Sequence, residues 1–247
     1  MGLFDIFSSN KNVSKVDKIA KKMLNEHHQQ QVRQEAIHEL IGIGTPESIR
    51  ALVSRLGVNF RDTIKNEQEK TWVTDILVNE IGPDAIEPMV GYIRSEQAIS
   101  AVIRALTRLV SSERIVTLLI EVLRQYAPTD HRTMAARQQI IDALFDYDAP
   151  EIIDAVTPYL LDHDDDVRIK VIDLLEGRVE RGGERFGTVV DGLASVLKDP
   201  MASGRITRRA AQYLSGLNAD LSKQVSELAP FMPDGYTLGT NGRITKT

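Results

Sequence analysis

A turn-then-helix phrase that returns along most of the chain restricts the fold more than any other feature. It reads Thr45-Pro46-Glu47-Ser48-Ile49, then Gly82-Pro83-Asp84-Ala85-Ile86, Ser111-Ser112-Glu113-Arg114-Ile115 and Ala149-Pro150-Glu151-Ile152-Ile153. The steps from Ile49 to Ile86, Ile115 and Ile153 are 37, 29 and 38 residues. A fifth copy follows: Ile152-Ile153-Asp154 matches Val189-Val190-Asp191, and Leu160 matches Leu197, both 37 residues on. A period of this size marks stacked supersecondary units, each too small to bury its apolar face alone.

Each phrase has a physical reading. A polar residue or glycine ends one helix, and proline at the next first position gives up only an amide that had no partner. An acid in the first turn faces the positive end of the helix dipole. Apolar residues then return at three- and four-residue steps, as Ile49, Leu52, Val53 and Leu56, and again as Ile86, Met89, Val90 and Ile93. A second helix lies between phrases. Residues Val32 to Leu40 match Val167 to Leu175 position by position, and the last copy runs from Ile206 to Leu214. The unit is a helical hairpin of roughly 30 to 40 residues.

The chain therefore reads as all-α, an α-solenoid of about six antiparallel helix pairs. First helices are expected near 13–27, 45–57, 83–94, 112–126, 150–162 and 184–198. Second helices are expected near 30–43, 65–81, 96–110, 132–147, 165–181 and 203–217, with a capping helix near 219–229. The organisation is an apolar segment over 1–12, a solenoid over 13–230 and a tail over 231–247. In the tail, Thr240-Asn241-Gly242 between short β-prone runs predicts a hairpin, which must pack on the last repeat or on a partner.

The hairpins resemble HEAT repeats, a likeness that covers roughly residues 13–228 and extends to the bilin-lyase type of helical repeat. In that family the second helix opens with Val-Arg after an aspartate near the end of the first, as Asp162, Val167 and Arg168 do here. Registering the copies on their turns puts Arg33, Lys70, Arg137 and Arg168 at the arginine position, with Ile99 and Thr207 in the other two. The resemblance implies a structural ladder of Arg33, Lys70, Arg137 and Arg168 with Asp162, each head group satisfying turn carbonyls or a carboxylate. The competing reading is a basic stripe for an acidic partner.

Charge and composition narrow the function. The net charge is -5, and the charges along the six second helices nearly cancel. Only the last, with Arg205, Arg208 and Arg209, is basic, so no continuous groove for nucleic acid follows. The absence of cysteine removes thiolate chemistry and cysteine metal sites. The run Asp162-His163-Asp164-Asp165-Asp166 lacks the glycine and distal glutamate of a calcium loop, and reads as a turn whose acids cap the next helix. His38-Glu39 is a single pair where di-iron helical-repeat enzymes need several. No phosphate loop, nucleophile elbow or defensible pair of carboxylates is present, so no cofactor, metal or catalytic residue is expected.

The expected function is a noncatalytic adaptor that binds a helix or extended segment of another protein along the second helices. The residues expected to touch it are Trp72, Arg104, Arg137, Lys170 and Arg208. Phe4 and Phe7, in the apolar start Leu3 to Phe7, are a docking segment, a weak membrane contact or a cap on the first repeat. Two alternatives stand beside the adaptor: a bilin-lyase-like enzyme subunit, and a membrane-peripheral scaffold. No apolar run reaches the length of a spanning helix and no basic leader opens the chain, so a cytoplasmic location is expected.

Overall fold

The computed structural model describes residues 15–247, so the segment 1–12 with Phe4 and Phe7 lies outside the described residues. The described residues are mostly helical, with a single two-stranded sheet. They form two compact units, divided between Leu118 and Leu119.

The first unit contains α1 (Lys15–Met23), α2 (Gln30–Ile43), α3 (Pro46–Leu56), α4 (Thr63–Asp75), α5 (Ile86–Ser95) and α6 (Ser100–Leu106). The division falls within α7 (Ser112–Leu123). α3 packs on α1, α2, α4 and α5, and α5 packs on α6. Pro46 opens α3 after Thr45, whose hydroxyl accepts the Ser48 amide at 3.3 Å. The stripe Ile49, Leu52, Val53 and Leu56 is buried along it. Each such side chain contributes about 1.5–3 kcal/mol of hydrophobic transfer.

Two elements depart from simple helices. α4 runs on into a π-helical segment, Ile76–Ile81, and a 3-10 turn, Gly82–Ala85, precedes α5. The Ile86 amide donates to the Pro83 carbonyl, so Pro83 opens a tight turn and the α-helix starts only at Ile86. α6 is shorter than the expected 96–110. Its end tightens into three-residue bonds, Arg108 to Ala105 at 3.2 Å and Leu109 to Leu106 at 2.9 Å.

The second unit continues with α8 (Met134–Leu144), α9 (Pro150–Val156), α10 (Asp165–Leu175), α11 (Phe186–Lys198), α12 (Gly204–Gly216) and the short α13 (Val225–Leu228). Pro158 lacks the amide that would continue α9, and the chain goes on as a 3-10 turn over Thr157–Leu161. α10 packs between α8 and α12, and α11 packs on α12 and on that turn. Ala210 and Ala211 are fully buried on α12, where a small side chain lets helices approach. β1 (Tyr236–Leu238) and β2 (Ile244–Lys246) pair antiparallel, with Leu238 opposite Ile244. The hairpin sits on the end of α12: the Ser215 hydroxyl donates to the Ile244 carbonyl, and the Leu221 amide to the Gly242 carbonyl, both at 2.9 Å.

One contact type recurs: a tyrosine reaches back to a helix end made earlier in the chain. Tyr92 of α5 sets its hydroxyl against Gly57 at the end of α3. Tyr159 sets its hydroxyl against the Leu123 and Tyr126 carbonyls, the latter 2.7 Å away. Tyr213 of α12 donates to the Leu175 carbonyl at the end of α10, at 2.6 Å. In the last two cases the phenol satisfies a helix-end carbonyl that has no partner inside its own helix. Burial pushes the Tyr159 phenol up to about 12 and raises those of Tyr92 and Tyr213 as well.

Candidate functional site

The polar chemistry of the first unit gathers around Glu69. This residue is on α4 and 3% exposed. It accepts from two guanidiniums, Arg33 Nε of α2 at 3.1 Å and Arg55 Nε of α3 at 2.6 Å. Arg55 also donates to the Val58 carbonyl at 2.8 Å and to Asn66 Oδ1 at 2.9 Å, and Arg33 to the His28 carbonyl at 2.6 Å. Phe60 lies under both cations, its ring centre 4.0 Å from the Arg55 guanidinium carbon and 4.9 Å from that of Arg33. Burial lowers the Arg55 pKa, the bond to Glu69 opposes that shift, and Arg33 adds to it.

A cleft of about 350 Å³ opens beside this cluster. Arg33 and Phe60 line it from within, and Glu26, His28, Arg61 and Lys65 stand around them. The first turn of α2 ends in the cleft at Gln29, whose side chain makes no cap bond. α4 starts there too, capped by Asp62, which accepts the Lys65 amide at 3.1 Å. That bond leads the causes that hold the Asp62 carboxyl below its ordinary value.

The second unit holds its buried arginines differently. Arg137 of α8 is fully buried, its Nε 2.8 Å from Asp162, and it donates to the Asp130 carbonyl at 2.7 Å and the Thr133 hydroxyl at 2.6 Å. Arg168 of α10 donates to the Asp162 carbonyl and, at 2.6 Å, to the Asp199 carboxylate. Burial would raise the Asp199 pKa, but bonds from the Met201 amide and Arg168 hold it below its ordinary value. Asp164 caps α10 by accepting the Val167 amide at 3.0 Å.

Exposed and half-exposed ion pairs bridge alternate helices or their ends. In the second unit Lys170 of α10 pairs with Asp142 of α8. Arg205 of α12 meets Asp166 at 2.6 Å, and Arg209 meets Asp173 at 2.7 Å and Glu176 at 2.5 Å. In the first unit Arg108 meets Asp75 at 3.0 Å. Such pairs, open to solvent, are worth under about 1 kcal/mol each.

The sequence-predicted residues fall as follows. Trp72 is half-buried and meets the His38 ring edge-on, with centroids 5.2 Å apart. Arg104 and Arg208 are exposed, and Lys170 is held by Asp142. Arg137 has to be corrected as a partner contact: with 0% exposure its guanidinium belongs to the interior, where Asp162 neutralises it. Of the proposed ladder, Arg33, Arg137, Arg168 and Asp162 are buried. Lys70 does not join them; it donates to Asn59 at 2.5 Å, and its neighbour Glu69 takes the inward position because two guanidiniums there need a counter-charge. Arg55, Asn66 and Glu69 went unnoticed in the sequence. Their signal is Asn66 and Glu69 three residues apart on one helix face, after an arginine set between Val53 and Leu56 in the last turn of α3.

Among the described residues no group of three or more His, Asp or Glu side chains is placed to hold a metal ion, and no helix is long and apolar enough to cross a membrane. Fold and site define a mainly α-helical protein with buried arginine–carboxylate clusters. Comparison of the chain with protein-family models, curated proteins and solved structures found no match.

Proposed function

We propose that the chain is a noncatalytic interaction scaffold, a HEAT-like α-solenoid that binds another protein along exposed faces of its second helices. The observation that supports this reading is that several of its internal ties span about one hairpin length. Arg33 reaches Glu69 across 36 residues, Arg168 reaches Asp199 across 31, and Tyr213 reaches Leu175 across 38. A stride near one hairpin length is what an array of nearest-neighbour repeats requires. In such an array equivalent positions of successive second helices recur on one side and offer an extended surface.

Arg104 in the first unit and Lys170 and Arg208 in the second are among the exposed or half-exposed cations on those helices. The test is affinity capture from native lysate, read by mass spectrometry, with the intact chain and with Arg104→Glu, Lys170→Glu or Arg208→Glu. The expected result is one protein retained in stoichiometric amount and lost with at least one substitution. A chromophore, lipid or nucleic acid retained in place of a protein would overturn the reading.

A further inference from the structure

Two buried guanidiniums in the first unit share one carboxylate. Arg33 is 5% exposed and Arg55 0%, and both bond Glu69. Their other bonds among the described residues go to neutral oxygens of His28, Val58 and Asn66. In the second unit, by contrast, Arg137 has Asp162 and Arg168 has Asp199. The first cluster therefore holds one positive charge more than its counter-charge, in a place where an unmatched ion is costly. The groups around it do not cancel the excess. Glu67 is matched by Lys70 at 3.9 Å, Asp62 by Lys65 at 3.3 Å, and Glu26 by Arg61 at 3.7 Å.

One of the two guanidiniums that share Glu69, Arg33, lines the cleft, while Arg55 lies behind it in the interior. Arg33 stands there beside the uncapped first turn of α2, where the helix dipole adds positive potential. We propose that this cleft binds a single carboxylate of an acidic segment of the partner protein, seated against Arg33 and Phe60. The proposal rests on the scaffold reading and names the chemistry of its partner. One negative charge is what the cluster lacks. A phosphate dianion would bring one charge more than the cluster lacks, which favours a carboxylate. The volume, about 350 Å³, lies at the lower end for ligand pockets and suits one side chain or chain terminus. Entry loosens the exposed Glu26–Arg61 pair, so that Arg61, 91% exposed, turns to the incoming group.

The test titrates the full chain with the capped pentapeptide Gly-Gly-Glu-Gly-Gly, its Gln counterpart and inorganic phosphate. Amide and guanidinium NMR signals of residues 29–33 report binding. The Glu peptide is expected to shift these signals saturably, and Arg61→Glu, a solvent-exposed change that leaves the fold intact, to weaken it about fivefold. Equal shifts with the Gln peptide, no shifts, or tighter binding of phosphate would each overturn the proposal. A captured partner that is indifferent to Arg61→Glu and to excess Glu peptide removes the cleft and leaves the scaffold standing. Binding of the Glu peptide at these residues without any captured protein keeps the cleft and removes the scaffold.

Discussion

The hydroxyl of Tyr92 occupies the space that a side chain on Gly57 would need: a methyl group built there lies 1.8 Å from it. The backbone at Gly57 is ordinary, with φ at -86°, so the demand for glycine at this position is one of room. Gly57→Ala is expected to destabilise the chain by about 1–3 kcal/mol in urea unfolding, the usual cost of overpacking. Adding Tyr92→Phe removes the nearest clashing atom and should restore part of that loss. If Gly57→Ala unfolds at the wild-type midpoint, Tyr92 is not seated as described.

Arg137 and Asp162 form a fully buried pair, and removing one partner strands the other. Arg137→Ala should cost about 3–5 kcal/mol. The double change Arg137→Met with Asp162→Leu should fall much closer to wild type, since neither charge is then left in the interior. A single and a double variant of equal stability would show that the pair is not isolated from water.

The Asp62 cap makes a prediction about acid. Its folded-state pKa is depressed, chiefly by the bond from the Lys65 amide. The cap therefore contributes fully above the ordinary aspartate range, about pH 4, and its contribution is lost as pH falls through the lower folded value. Asp62→Asn keeps an acceptor but cannot titrate. Its unfolding midpoint should change less between pH 6 and pH 3 than that of the wild type, and an identical slope would remove Asp62 from the acid response.

Gly242 presses the tip of the hairpin onto the chain at Ser222. Its φ is 73°, and an added methyl group would lie 2.2 Å from the Ser222 nitrogen. Gly242→Ala should lift β1 and β2 off α12, with faster amide exchange at Ile244 and earlier proteolysis within residues 234–247. The helical unfolding midpoint should move less than it does for Arg137→Ala. Unchanged exchange at Ile244 would show that the turn is free of Ser222.

Much of the helical layout was legible because its signals are local. The phrase at Thr45-Pro46 gives a cap, a proline start and a stripe in one stretch, and α3 begins at Pro46. The same phrase at Gly82-Pro83 misplaces the helix by three residues, since only the bond from Ile86 to Pro83 decides between a 3-10 turn and an α-helix. The interior charges were less legible. Registering basic residues on the turns put Lys70 in the row with Arg33, and sequence distance alone does not reveal that Arg55 arrives from α3 and draws Glu69 inward instead. Arg137 was read both as a partner contact and as a rung of the ladder with Asp162, and only the contact with Asp162, 25 residues away, decides for the interior.

The backward reach of the tyrosines has a consequence for biosynthesis. Translation delivers the chain from its N-terminal end. When α3 leaves the ribosome, Tyr92 has not yet been made, and the ends of α7 and α10 likewise wait for Tyr159 and Tyr213. Each of these three contacts is thus completed about one hairpin after the helix end it meets has been made. The end of α12 closes by other means, when Arg243 delivers its guanidinium to the Asn218 carbonyl and the hairpin settles beside α12.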